Sequence, residues 1–332
     1  MDATNKLIVV VYSHITLLPI PNMKQVKLYG RILKGAAQGF MNDHALKFSA
    51  SLSYYTIFAL GPLLIIIISL AGVFFGRDAV QGRLYLQISG LVGSDAALQI
   101  QQIIANIQQA QASNTGAVFG GVFLVIGATG VFTEMQDSIN YILSVKAKPR
   151  KGWLKLIINR LLSFSLIIVM SFILLVSLLA NALMTLLSDR IIDELLPNYS
   201  VQVLYTLNTL VMLVVISLLF TVIFKVLPDA VIALKDAIVG AVFTALLFLL
   251  GKFVIGYYLG NARLGITYGA AASVIIILSW VYYTAIILFF GAEFTKMFAL
   301  YAGGGIRPKD TAVFIIKSES REVPAPHQDK KP

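Results

Sequence analysis

The chain has 332 residues, 58% of them hydrophobic and only 13% charged, with a mean hydropathy of +0.83. A soluble chain carries about 25% charged residues, and 26 basic and 16 acidic side chains are too few to solvate a 36.2 kDa globule. With no cysteine and three scattered histidines (His14, His44 and His327), the sequence excludes disulfides, thiolate nucleophiles and Cys-ligated metals, and it offers no His-based metal motif.

Residues 1–23 read as a non-native or disordered extension. Lys6 and the apolar run Leu7–Val11 open like a signal peptide, but Pro19 and Pro21 spoil the continuation, and Met23 precedes a better-behaved segment. Residues 24–51 follow as an amphipathic helix at the cytoplasmic interface. There Lys27, Arg31 and Lys34 share one face, and Tyr29, Leu33, Ala36 and Phe40 repeat the helical spacing on another. Six membrane helices are predicted within 52–300, at about 52–75, 116–143, 161–187, 201–227, 235–258 and 268–298, each near the ~20 residues that span a bilayer. Between the first two, residues 94–112 carry Ile100, Ile103, Ile104 and Ile107 against an uncharged Gln/Asn face, which predicts a second amphipathic helix. Residues 301–332, rich in Gly, Pro, Lys and Ser, are expected to be a disordered cytoplasmic tail.

Charge sets the orientation. Counted by alternate segments, 21 Lys and Arg fall on one side of the six spans and 4 on the other, with Lys252 inside a span. The positive-inside rule then places both termini in the cytoplasm. The fold class expected is all-α, a polytopic membrane helix bundle with amphipathic interfacial helices. The excess of basic residues is accounted for by topology and lipid headgroups, so no nucleic-acid partner is expected.

Polar groups within spans are costly, and they mark the candidate pathway or cavity residues. Lys252 lies about 9 Å, at 1.5 Å per residue, below the outer end of its span. Snorkelling and a pocket or ion-pair role both fit that depth. Glu134 and Asp137 share a helix face near the cytoplasmic boundary, read either as solvated acids or as a paired carboxylate at an inner mouth. Glu293 has Lys296 at i+3, which fits an intrahelical ion pair, while pairing to the basic second loop is equally open. Pro62 is expected to kink the first span, downstream of a hydroxyl-rich stretch that includes Ser49, Ser53, Tyr54 and Thr56. Tyr268 opens the last span. Small-residue spacings, Gly116xxxGly120, Gly256xxxGly260 and Gly265xxxGly269, permit close helix packing or a homo-oligomer.

Three stretches resemble the YihY/BrkB family of bacterial inner-membrane proteins, once labelled ribonuclease BN. They are Ala50 to Pro62; Leu227-Pro228-Asp229 leading into Asp236 to Ala241; and Tyr268-Gly269-Ala270-Ala271 through Trp280 to Gly291-Ala292-Glu293. The similarity covers about residues 30–300. It implies a fold and a location but no mapped catalytic residues. Nuclease chemistry needs clustered His and acidic ligands with solvent access, and here the acids are scattered, so no enzyme activity and no cofactor is expected. The sequence is compatible with a transporter, exporter or lipid translocase, whose partners would be membrane lipids and a small-molecule, ion or lipid substrate. The alternative is a non-transporting scaffold for envelope assembly.

Overall fold

The structure, a computed structural model, describes residues 23–58, 98, 101, 130–148, 200–261 and 272–317. In chain order these form α1 (Met23–Asn42), α2 (45–58), α3 (130–142), β1 (Val145–Ala147) and α4 (Ser200–Val226). They continue with β2 (Ala230–Ile232), α5 (Leu234–Asn261), α6 (Ala272–Tyr301), β3 (Ile306–Pro308) and β4 (Ala312–Phe314). Three stretches, Thr206–Val226, Leu234–Tyr258 and Val274–Tyr301, are long and apolar enough to cross a membrane. They coincide with the last three predicted spans. The predicted third span, most of the first, half of the second and all but residues 98 and 101 of the helix near 94–112 lie outside the described residues, as do Pro62 and Tyr268.

The outward faces of α4, α5 and α6 are apolar: Val214, Leu250, Phe253 and Val254 are each about two-thirds exposed. Water would penalise such a surface and hydrocarbon would not. Inward, Ile216, Phe220, Ile223 and Phe224 of α4 meet Ala237, Ala241, Ala245 and Phe248 of α5 in a core that continues onto Ala285, Leu288 and Phe289 of α6.

A reciprocal interlock joins α5 to α6. A Cβ on Gly240 would overlap the Thr295 hydroxyl, and one on Gly291 would overlap that of Thr244. Each threonine hydroxyl bonds back to the carbonyl of its own helix's glycine, Thr244 Oγ1 to Gly240 O and Thr295 Oγ1 to Gly291 O, both at 2.7 Å. Neither hydroxyl is left unsatisfied in the low-dielectric interior, and the two backbones approach closely. Gly256, by contrast, has nothing within 4 Å of a would-be Cβ among the described residues, so its small-residue spacing marks no helix contact there.

α1 runs antiparallel along the end of α6, with Gly35 against Met297, Gly39 against Glu293 and Phe40 edge-on to Phe290 at 5.7 Å. Its buried stripe is Ile32, Ala36 and Phe40, whereas Tyr29 and Leu33 of the expected apolar face are about half exposed. The helix is docked through Gly35, Gly39 and this stripe, with Tyr29 and Leu33 turned outward.

The expectation of a disordered tail from 301 is corrected over 306–317. β3 pairs antiparallel with β2, Ile306 opposite Ile232, and β4 pairs antiparallel with β1, Val145 opposite Phe314. The ladders extend through Lys309 N to Asp229 O, Lys148 N to Thr311 O and Ile315 N to Ser144 O, each 2.8–2.9 Å. Composition alone hides this, because the order comes from edge backbone offered by distant loops. The segment thus ties α3 and the α4–α5 turn to the end of α6.

The interlock generates the first prediction. Gly240→Ala should lower stability by about 1–3 kcal/mol, the range for overpacking. The Gly240→Ala/Thr295→Ala double variant should recover part of that loss in a thermal or denaturant melt of the detergent-solubilised protein, through coupling of the two positions.

Candidate functional site

At the end of the bundle where α1 turns into α2, α3 stops and α6 closes, four charged side chains meet. Asp43 is carried by the α1–α2 turn, where His44 takes a left-handed φ of 55° that breaks the helix. α6 supplies Glu293 and Lys296, one turn apart and on one face. Lys317 arrives just past β4, held by the Ile315–Ser144 bond.

Lys296 Nζ lies 3.3 Å from Glu293 Oε2 and 3.4 Å from Asp43 Oδ2. Lys317 Nζ donates to the same Asp43 Oδ2, reaches to 3.5 Å from the Ile142 carbonyl at the end of α3, and stands 4.5 Å from the centre of the Tyr141 ring. Glu293 is fully buried, and its Oε1 has no hydrogen-bond partner. Gly39 makes the burial feasible, because a Cβ there would sit 2.5 Å from Oε2.

Burial alone would raise the Asp43 carboxyl. Hydrogen bonding with Glu293 first and Lys317 second, together with the positive charge of Lys296 and Lys317, outweighs that effect and holds it below the ordinary carboxylate value. Burial pushes the Lys317 ammonium below its ordinary value, against the pull of Asp43 and Glu293.

A second polar knot sits nearby. Asn140 Nδ2 donates to Asp229 Oδ2 at 2.9 Å, and Asp229 N donates back to Asn140 Oδ1 at 2.7 Å. Gln136 adds a longer bond of 3.4 Å to the same carboxylate. Asp236, buried at the start of α5, accepts from Gly304 N at 2.9 Å. These contacts satisfy buried polar groups and fasten loops, which is structural work.

Of the residues singled out from sequence, Glu293 lies in this cluster, with the intrahelical Lys296 contact at 3.3 Å. Glu134 is half-buried and Asp137 exposed on α3, so neither is enclosed as Glu293 is. Lys252 is half-buried on α5. Tyr54 is exposed, edge-on to Phe58 at 5.0 Å. The hydroxyls of Ser49, Ser53 and Thr56 are spent on carbonyls of their own helix at 2.7–2.8 Å. Asp43 and Lys317 were missed by sequence reasoning. The one available signal was the polar Asn42-Asp43-His44 break inside an otherwise helical pattern.

A bundle of lipid-compatible helices capped by such a polar end defines a polytopic membrane protein. The chain belongs to the family described as virulence factor BrkB, whose profile matches residues 36–313. It is 27% identical over 309 residues to a UPF0761 membrane protein of Saccharophagus degradans, covering 88% of this chain and 67% of that one. Relatives of the same name from Pseudomonas aeruginosa and Teredinibacter turnerae are each 28% identical, with 77% and 81% of this chain and 60% of the relative covered. The chain therefore spans about three-fifths to two-thirds of the length of these relatives. No solved structure matches. Two of the three stretches that carried the resemblance hold the residues that fasten this end of the bundle. Asp229 and Asp236 staple loops, Gly291 meets Thr244, and Glu293 anchors the charge cluster.

Asp43→Asn should destabilise the protein at neutral pH by at most about 3 kcal/mol. That is the low end for breaking a buried pair, because the Lys296 and Lys317 side chains keep 16% and 23% exposure. The sign with pH follows from the depressed Asp43 value. Its contribution is complete above the ordinary value of about 3.9 and is lost as pH falls through the lower folded value. Melting temperatures from neutral pH into the acid range should therefore fall more gently in Asp43→Asn than in the unsubstituted protein.

Proposed function

We propose that this protein is a transporter, exporter or lipid translocase of the bacterial inner membrane, with six spans and both termini in the cytoplasm. The observation that carries the reading is Glu293, an acid fully buried in a candidate span and clustered with Asp43, Lys296 and Lys317. Intramembrane ionisable groups are expensive and concentrate on substrate and ion pathways. Lys252, in the fifth predicted span, would line the same route further out. The orientation follows the 21-to-4 basic asymmetry read from the sequence. In it the Asp43–Glu293 cluster, the two small sheets and the exposed Lys146, Lys148 and Arg307 face the cytoplasm. The protein acts without enzymatic turnover, and its partners are lipids and the transported species.

The test has two arms. Reconstituted into phosphatidylethanolamine/phosphatidylglycerol vesicles, the protein should accelerate dithionite bleaching of inner-leaflet NBD-lipid if it translocates lipid. In detergent, a panel of ions and small metabolites should contain at least one compound that raises the melting temperature, by about 2.7 kcal/mol of stabilisation at a hundred times its dissociation constant. Glu293→Gln and Lys252→Met should abolish whichever response is found. No response in either arm, together with a stoichiometric protein partner retained in mild detergent, would replace transport by the envelope-assembly scaffold.

A further inference from the structure

Helix α1 presents three faces, and contacts within the protein use one of them. Ile32, Ala36 and Phe40, with Gly35 and Gly39 beside them, are turned to the end of α6. On the far side Lys27, Arg31 and Lys34 recur at i, i+4 and i+7, and all three are exposed. No ion pair among the described residues engages this basic ridge, and α1 carries no acidic side chain to offset it. Between ridge and contact lies a third face of Tyr29, Leu33 and Met41, large apolar side chains that the bundle leaves open.

The seat of α1 decides what can meet those two open faces. Its contacts on α6, from Phe290 to Phe298, fall within Val274–Tyr301, a stretch long and apolar enough to cross a membrane. The helix therefore lies at the edge of the bilayer, where acyl chains and headgroups surround it. A nucleic acid or an acidic protein would match the ridge but leave Tyr29, Leu33 and Met41 in water. A lipid matches both, with acyl carbon for the apolar face and a phosphate for the basic one. The ridge runs about 10 Å from Lys27 to Lys34 at 1.5 Å per residue. Each Lys or Arg near an anionic surface strengthens association about fivefold. The contact with α6 leaves room for such help, because Gly35, Ala36 and Gly39 bring the backbones close but bury little apolar side chain.

We propose that α1 binds anionic phospholipid: Lys27, Arg31 and Lys34 hold the phosphate-bearing headgroups, Tyr29, Leu33 and Met41 enter the acyl boundary, and the bound lipid keeps α1 seated on α6. The lipid acts from outside the bundle as an effector and not as cargo, so the site does not rest on the transport reading. Gly39 lies directly on Glu293, and Asp43 follows at the end of the same helix. The anionic content of the leaflet thereby sets how firmly the Asp43–Glu293 cluster is covered, and salt weakens the effect.

The experiment compares two lipids that differ in headgroup charge. Full-length protein is melted in mixed micelles containing phosphatidylglycerol or phosphatidylcholine with the same acyl chains. Expected is a melting temperature higher by about 3 °C or more in phosphatidylglycerol, with the gap closing in high salt. Lys27→Gln/Arg31→Gln/Lys34→Gln should lose that gap. Lys146→Gln/Lys148→Gln/Arg307→Gln, which removes three exposed basic residues elsewhere on the protein, should keep it. Equal melting of the unsubstituted protein in the two lipids overturns the proposal, and so does a gap that both triple variants lose alike. Stabilisation by transfer RNA without any response to phosphatidylglycerol overturns it in favour of a nucleic acid. If the α1 variant does not purify, amide exchange on the unsubstituted protein in nanodiscs decides the matter. Exchange over 28–42 should be slower in phosphatidylglycerol discs than in phosphatidylcholine discs, and identical exchange overturns the proposal. None of these measurements uses flux, so a failure of transport leaves the site standing, and a failure here leaves transport standing.

Discussion

One constraint organises the polar end of this bundle: a carboxyl group with no exposed surface must find polar partners. Glu293 sits in an apolar helix, where an uncompensated charge would cost several kcal/mol. Its compensation recruits sequence-distant residues. Lys296 supplies charge from one turn on, Gly39 supplies room on α1, and Asp43 extends the network so that Lys317 can close it. The position of α1, the left-handed break at His44 and the return of the segment after β4 are all consistent with that single requirement.

The rest of the described core is held by different physics. Between α5 and α6 there is little hydrophobic driving force in a lipid environment, because tails are as apolar as side chains. Close approach at Gly240 and Gly291 gains dispersion contacts instead, and the two threonines pack without leaving a polar atom unsatisfied. Aromatic contacts extend the same packing, with Phe243 stacked on Phe294 at 3.8 Å and Phe248 edge-on to Trp280 at 6.0 Å. Charge fixes one end of the assembly, and shape fixes its length.

Much of this was legible from sequence wherever the signal is local. Uninterrupted apolar length placed the last three spans, and the i, i+3 spacing gave the Glu293–Lys296 pair. Gly291 and Glu293 stood within a recognisable stretch. What stayed hidden depends on partners far away in the chain. Asp43 looks like an ordinary turn residue until α6 is set beside it. Lys317 looks like one more tail lysine until β4 finds β1, 165 or more residues upstream. The close glycine contacts were hidden for a related reason. Gly256xxxGly260 satisfies a familiar spacing, but a spacing does not say which face meets a neighbour. The pairs that do meet, Gly240 with Thr295 and Gly291 with Thr244, require both helices to be read together.

The order of synthesis gives the small sheets a further significance. β3 and β4 leave the ribosome after α6, so their pairing with β2 and β1 cannot precede insertion of the helices that carry those edges. Until then the edges of β1 and β2 have no partner from this segment, and Asp43 has Lys296 but lacks its second lysine. A chain whose β4 has not yet emerged thus leaves unpaired strand edges at a single face of the bundle, the kind of surface that proteases and chaperones recognise.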